Sequence, residues 1–307
     1  MLEVLFLDGG STDGTPEIIT KYAAQYPFIQ LLANPEKYVP QAMNKGIAAA
    51  KGEVIVRLDA HASYPTDYVG KCVKWLQKTK ADNVGGLWKT EKRENTPTAE
   101  AIVQVLSHPL GVGNASFRTG VDAPIEVDTV PFGCFRRDVF ERFGNYDTRL
   151  HRNQDIELNK RIRRGGGKIM LIPEISCTYF ARSTYRDLYK NNHANGKWVI
   201  LTAYFTKTFD SLSWRHFVPF AFVFYVLCAT IGSVGAFLYG YAFFALGLLL
   251  PLFLYALLVH VFSVKIAMKQ NSPSLSLYLF WAFLTLHWSY GIGSFKGIQA
   301  VLLGNKV

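Results

Sequence analysis

Gly52-Glu53-Val54-Ile55-Val56-Arg57-Leu58-Asp59-Ala60-His61 is the stretch on which the reading of the fold turns. Val54, Ile55 and Val56 form a β-branched run, Gly52 punctuates its start, and an acid follows just past Leu58. A short apolar run bounded by turn residues predicts a strand buried on both faces, as in a parallel sheet. In open α/β sheets small molecules bind outside the carboxyl ends of the strands. Asp59 and His61 therefore stand where a hydroxyl or phosphate oxygen would meet a carboxylate, an imidazole and any hard cation they hold.

Upstream of this stretch, Glu3 to Leu7 reads as a strand that runs into Asp8-Gly9-Gly10-Ser11-Thr12-Asp13-Gly14-Thr15. Thr15 suits a cap, Pro16 the first helical position and Glu17 the positive helix end. Ile18, Ile19, Tyr22, Ala23 and Tyr26 then repeat at helical spacing. Taken alone, such an acidic glycine loop is equally a plain turn. Leu31-Leu32 reads as a short strand, and a helix is expected from about Gln41 to Lys51.

Downstream, helices are expected over Lys71 to Lys78, Ala99 to Leu106 and Arg136 to Phe143, and from Asn153 to the stop at Gly165-Gly166-Gly167. Strands are expected over Val84 to Trp88, Val127 to Phe132 and Lys168 to Pro173, with a loop at Pro109 to Asn114 and a turn at Gly144 to Asp147. Strands and helices alternating at this pace predict an α/β domain, a mostly parallel sheet with helices on both faces.

Composition splits the 307 residues sharply. From Phe217 onward the only formal charges are Lys265, Lys269, Lys296 and Lys306; all 23 Asp and Glu lie upstream. Three apolar segments, near Phe217 to Leu238, Tyr241 to Val264 and Leu277 to Ile298, each reach the ~20 residues that cross a bilayer. Before them, Ser183 to Phe205 mixes Tyr185, Leu188, Tyr189, Trp198 and Tyr204 with Arg186, Lys190 and Lys197. That mixture suits a helix lying in the headgroup layer, or a terminal helix packed on the sheet. The organisation expected is an α/β domain over 1–181, an amphipathic interfacial helix and linker over 182–215, and a transmembrane helical part over 216–307. Lys265 and Lys269 place the loop after the second segment in the cytoplasm, and two crossings put the α/β domain there too. This makes the protein a multi-pass protein of the inner membrane.

Several function classes are excluded. No Lys/Arg run accompanies a nucleic-acid-binding module, so the net charge of +10 is read as facing anionic lipid. Cys72, Cys134, Cys177 and Cys228 show no C-x-x-C spacing, which argues against a zinc site or a disulfide framework. Met1 to Leu7 is too short for a signal peptide and lacks its basic start. The membrane part has few ionisable groups beyond His260, His287 and the lysines, which disfavours a transport pathway of its own.

The acidic loop from Asp8 to Thr15, Asn44 with Gly46, and Arg57-Leu58-Asp59-Ala60-His61 occur here in a telling order. Pro131-Phe132-Gly133-Cys134-Phe135-Arg136-Arg137, Gly144-Asn145-Tyr146-Asp147, and Gln154-Asp155 followed by Arg161 complete the series. The set resembles the family 2 inverting glycosyltransferases of GT-A fold, and among them the bacterial succinoglycan-type exopolysaccharide β-glucosyltransferases. The resemblance runs from Val4 to about Phe205 and on into the membrane part.

It implies that Asp155 is the catalytic base and that Asp8 contacts the nucleotide base, with Gly9, Ser11, Asp13 and Asn44 in the nucleotide-sugar site. Asp59 matches the first acid of the D-x-D signature, which holds the ribose and a metal-bound diphosphate. His61 replaces the second acid, and either ligates Mn²⁺ or touches a phosphate oxygen. Gln154 stands where an acid usually precedes the base, and Lys197 and Trp198 loosely match a membrane-proximal acceptor segment.

The cofactor implied is a divalent metal, Mg²⁺ or Mn²⁺. The partners implied are a UDP-sugar donor, a lipid-linked saccharide acceptor and the lipid bilayer, with no nucleic acid. The expected activity is transfer of a hexose, glucose from UDP-glucose, in exopolysaccharide synthesis. The family's first strand and its loop have no counterpart ahead of Glu3, so the start is assigned too late or the chain is a fragment. The alternative reading is a truncated, non-catalytic membrane scaffold or subunit carrying a GT-A-like domain.

Overall fold

The computed structural model describes residues 2–208 and 216–304. Its chain divides into two compact units, one of residues 1–88 and 120–177, the other of 89–119 and 178–307.

The first unit is α/β. Strand β1 (Val4–Asp8) leads into helix α1 (Thr15–Gln25), and β2 (Ile29–Ala33) returns parallel to β1, Val4 opposite Ile29. The N-cap position of α1 is Gly14, not Thr15, and has no side-chain cap; just before it the Asp13 carboxylate accepts the Thr15 N–H at 3.2 Å, and Pro16 sits in the first turn. Helix α2 (Val39–Ala49) then precedes β3 (Val54–Val56). Next come β4 (Ala62–Ser63), α3 (Tyr68–Thr79) and β5 (Asn83–Glu91). After the excursion over 89–119 follow β6 (Ile125–Glu126), β7 (Cys134–Arg136), α7 (Asp138–Phe143), α8 (Gln154–Arg164) and β8 (Ile169–Phe180).

The larger sheet has the order β3-β7-β5-β8-β4, with β6 on β8, and stands separate from the β1-β2 pair. It is mixed, which corrects the expectation of a mostly parallel sheet: β7 runs antiparallel to both β3 and β5, and β6 antiparallel to β8. The reason lies in the segment 127–132, expected as a strand and found irregular. Phe132 and Gly133 both adopt left-handed backbone, with φ of 62° and 74°, and Gly133 N–H closes on the Pro131 carbonyl at 2.7 Å. Glycine tolerates that conformation without a Cβ clash, and the sharp turn feeds β7 back between its neighbours. The core below contains Tyr68, Leu76, Val84, Ile172 and Ile175. Cys72, Cys134 and Cys177, far apart in sequence, gather in this core as free buried thiols.

The second unit is helical. It contains α4 (Pro97–Leu106), the short α5 (Pro109–Val112) and α6 (Ser116–Thr119), and α9 (Tyr185–Thr206). The last three helices are α10 (Val218–Leu238), α11 (Ala242–Lys269) and α12 (Leu275–Leu302). Ile102 and Val105 of α4 are buried with Leu188, Val259, Leu279 and Phe283, which explains why residues 89–119 group with the late helices. His287 holds the same region from α12, its ring nitrogens 2.9 Å from the Leu110 carbonyl and 2.7 Å from the Tyr255 hydroxyl.

Three bilayer crossings were expected, and among the described residues two helices are long and apolar enough: α10, with mean hydropathy 2.1, and α11, with 2.5. The third segment lies in α12, which carries His287, Ser289, Ser294 and Lys296 and packs along α9. Glycines let these two backbones meet: a methyl at Gly196 would lie 1.9 Å from the Tyr290 carbonyl oxygen, and one at Gly293 2.0 Å from that of His193. Helix α9 thereby buries Leu188, Trp198, Val199 and Leu201 while leaving Tyr189 and Tyr204 exposed. The end of the expected linker, 209–215, lies outside the described residues.

Candidate active site

Asp59 is placed by its backbone. Immediately after β3, the Arg57 N–H donates to the Gly133 carbonyl at 3.1 Å, and the Asp59 N–H donates to the Tyr64 hydroxyl at 2.7 Å. Alternate residues of an extended segment share a face, and Arg57 reaches Asp59 with both arms of its fork. Nε donates to Oδ1 at 2.7 Å and Nη2 to Oδ2 at 2.9 Å. The side chains are 7% and 20% exposed, so water reaches this pair from the aspartate. Burial works against the Arg57 charge, but Asp59 outweighs it and holds the guanidinium more firmly protonated than usual.

Tyr146 connects this pair to the second acid. Burial pushes its phenol up to about 12, Arg57 opposes the shift, and Asp155 and Asp59 add to it. One phenol therefore feels both aspartates and the arginine. Its position comes from Asn44, whose carboxamide donates to the Tyr146 carbonyl at 2.8 Å and accepts the Tyr146 N–H at 2.9 Å.

Asp155 sits in the first turn of α8, where the helix dipole favours a carboxylate, and its Oδ1 accepts the Ile156 N–H at 2.9 Å. Two anchors fix α8. Asn159 donates to Thr129 Oγ1 and accepts from the Asn83 amide, both at 2.8 Å in the buried interior. Arg161 pairs with Glu157 and donates to the Phe143 and Asn145 carbonyls, at 2.5 and 2.9 Å, tying the 143–147 turn to the helix. Gln154 is buried next to Asp155 in the chain, with its Oε1 unpartnered.

Asp8 belongs to a loop of its own. Its carboxylate accepts from the Ser11 hydroxyl at 2.5 Å and from the Gly10 and Ser11 N–H groups at 2.9 and 3.1 Å. The Ser11 hydroxyl, then its N–H, draw the Asp8 pKa below the usual carboxylate value. Gly9 and Gly10 lie against Lys37. Glu3, at the other end of β1, accepts from the N–H groups of Lys51 and Gly52 at 2.5 and 2.8 Å, just ahead of β3.

Of the residues singled out from sequence, Asp59 and Asp155 share neighbours; Asp8, Gly9, Ser11 and Asp13 form a separate acidic loop. The Asn44 carboxamide is committed to backbone, and Lys197 and Trp198 lie on α9 in the other unit. Sequence reasoning passed over Arg57 and Tyr146. The i, i+2 spacing of Arg57 and Asp59 on a strand was a usable signal; nothing local marked Tyr146.

Among the described residues no three His, Cys, Asp or Glu side chains gather as a metal site. His61 is exposed, its ring 6.4 Å from that of Phe132. A single accessible carboxylate still fits a hard cation of the Mg²⁺ type, which keeps several waters and takes substrate phosphate oxygens as ligands. Asp59 meets that requirement.

The α/β unit thus carries acids at or just past its strand ends and a carboxylate at a helix start. In comparison with known proteins, residues 1–144, just under half of the chain, match the family model described as glycosyl transferase family 2. It is 31% identical to the succinoglycan biosynthesis protein ExoA of Rhizobium meliloti over 61% of this chain and 56% of that protein. Thus the match spans little more than half of that relative's length. A second relative, 26% identical over 96% of this chain and 87% of its own length, comes from Methanococcus voltae. It is a dolichyl N-acetyl-α-D-glucosaminyl phosphate 3-β-D-2,3-diacetamido-2,3-dideoxy-β-D-glucuronosyltransferase. In fold the chain is similar to the mannosyltransferase PcManGT of Pyrobaculum calidifontis, solved with GDP-Man and Mn²⁺. That likeness has TM-score 0.55 and 19% identity, and covers 94% of this chain and 78% of that one.

Proposed function

We propose that this protein transfers a hexose, glucose from UDP-glucose, to a lipid-linked saccharide with inversion at the anomeric carbon. The observation that supports the reading is that Asp59, Arg57 and Asp155 all act on the Tyr146 phenol, so that the two carboxylates share a neighbour. The acceptor O–H attacks the anomeric carbon, its proton passes to Asp155, and the bond to the diphosphate breaks with its electron pair. A positioned carboxylate in this role contributes ~10²–10⁴-fold. Asp59 would hold a divalent cation, Mg²⁺ or Mn²⁺, which neutralises charge on the leaving diphosphate; His61 stands by for a phosphate oxygen or the cation.

Asp8, with Gly9, Ser11 and Asp13, receives the nucleotide, and Asn44 acts through the Tyr146 turn. Gln154, next to Asp155, serves the acceptor, and Lys197 with Trp198 on α9 are membrane-proximal residues. Helices α10 and α11 anchor the protein in the bilayer. Lys265 and Lys269 near the end of α11 support a cytoplasmic location for that end in the inner membrane. The M. voltae relative, with its dolichyl phosphate acceptor, supports a lipid-borne acceptor; the Mn²⁺ of the P. calidifontis enzyme supports the cation.

The test is Asp155→Asn, assayed for UDP binding and for transfer. The expected result is unchanged UDP affinity and loss of turnover; retained turnover overturns the assignment of the base.

A further inference from the structure

We propose that Arg57 is a resident counter-cation for Asp59, which a divalent cation must displace to engage that carboxylate. The proposal rests on the reading of Asp59 as the donor-side carboxylate and adds a control on its availability.

The geometry is specific. Both Asp59 oxygens are already taken, at 2.7 and 2.9 Å, by one guanidinium. A bidentate fork of this kind is among the strongest neutralising contacts a carboxylate makes. The backbone on either side is pinned, Arg57 to Gly133 and Asp59 to Tyr64, so the exchange falls to the side chains. Asp59 is the more exposed partner, and a cation from solvent therefore meets the carboxylate before it meets the arginine. The third arm of the fork, Nη1, is buried and has no hydrogen-bond partner. Tyr146 and Asp155 are the other groups that act on the Arg57 charge. Consequently a guanidinium released by Asp59 keeps an anionic neighbour, and its charge is not stranded in the interior. Without a donor, the arrangement keeps Asp59 neutralised and the site closed to loose cations; a nucleotide diphosphate supplies the further oxygen ligands that tip the exchange.

The test measures Mn²⁺ binding by electron paramagnetic resonance on the full chain in detergent, with and without UDP, for wild type, Arg57→Met, Arg57→Lys and Asp59→Asn. Arg57→Met, which keeps a long packed stem, is expected to bind Mn²⁺ without UDP about tenfold or more tighter than wild type. Arg57→Lys is expected to fall between the two, since an ammonium cannot hold both oxygens in the same fork. Should Arg57→Met fail to fold, Arg57→Lys decides, with its thermal melt as control. Mn²⁺ affinity equal to or below wild type in folded Arg57 variants overturns the latch. If wild type then still binds UDP with Mn²⁺ and Asp59→Asn loses this, only the latch has failed. Absence of any Asp59-dependent Mn²⁺ binding overturns the latch and the donor-site reading together.

Discussion

Asn44 and Tyr146, 102 residues apart in sequence, are joined by a closed pair of hydrogen bonds: the Asn44 carboxamide satisfies both the carbonyl and the N–H of Tyr146. The pair locks the 144–147 turn onto α2, and with it the one phenol that senses both aspartates. Asn44→Leu would leave two backbone groups of a buried residue unpaired, at about 1–3 kcal/mol each. Melting temperature and transfer rate should fall together. Asn44→Asp keeps only the acceptor half of the pair and should fall short of wild type in thermal melts.

Tyr146 itself makes alkaline stability testable. Its phenol titrates near 12 in the folded state, against 10.0 for an ordinary tyrosine, first because it is buried. A raised folded value means that its contribution is complete below pH 10 and is lost as pH rises through about 12. Tyr146→Phe should remove that share of the alkaline loss, on the order of 2 kcal/mol. The difference between the stability–pH curves of the two proteins above pH 10 measures it; parallel curves would refute the assignment.

Acid should act through Glu3. Its carboxylate is held below the usual value by the Lys51 N–H and then the Gly52 N–H. A lowered folded value stabilises above the ordinary 4.5 and is lost as pH falls through the folded value. Glu3→Gln should melt below wild type at neutral pH, with the gap closing under acid. A pH-independent gap would mean that the contacts matter by shape alone. Because the side chain is largely exposed, solvent screens the effect and a shift of a few degrees at most is expected.

The seam between α9 and α12 separates two kinds of glycine. At Gly196 a Cβ meets the Tyr290 carbonyl at 1.9 Å, whereas at Gly235 of α10 nothing lies within 4 Å. Gly196→Ala should destabilise the helical unit by about 1–3 kcal/mol through overpacking. Gly235→Ala should be neutral, or stabilise by up to about 1 kcal/mol through helix propensity. Limited proteolysis in detergent compares them, and equal protection of the two variants would dismiss the seam.

Much of this protein is legible in its residues taken in order. The β-branched run before Asp59, the acidic glycine loop after β1 and the acid at the α8 start are local patterns, and the structure has the expected elements there. The acid-free, apolar tail likewise announces α10 and α11 by composition alone. One local reading failed for a tertiary reason. The 127–132 segment has strand-like residues, but left-handed backbone at Phe132 and Gly133 turns it out of the ladder. Residues 277–298 are apolar enough to read as a membrane crossing, and Gly293 and Gly297 among them also pack closely against α9.

What the order of residues determined, then, is which segments are strands and helices and which acids end them, because periodicity, turn chemistry and charge act over a few residues. Only the tertiary structure decided that Arg57 grips Asp59 from within the fold, that Asn44 fixes Tyr146, and that this phenol lies within reach of Asp155. The spacing of Arg57 and Asp59 hinted at their pairing, but the burial that makes it matter and the Asn44–Tyr146 contact across 102 residues are set by the tertiary fold.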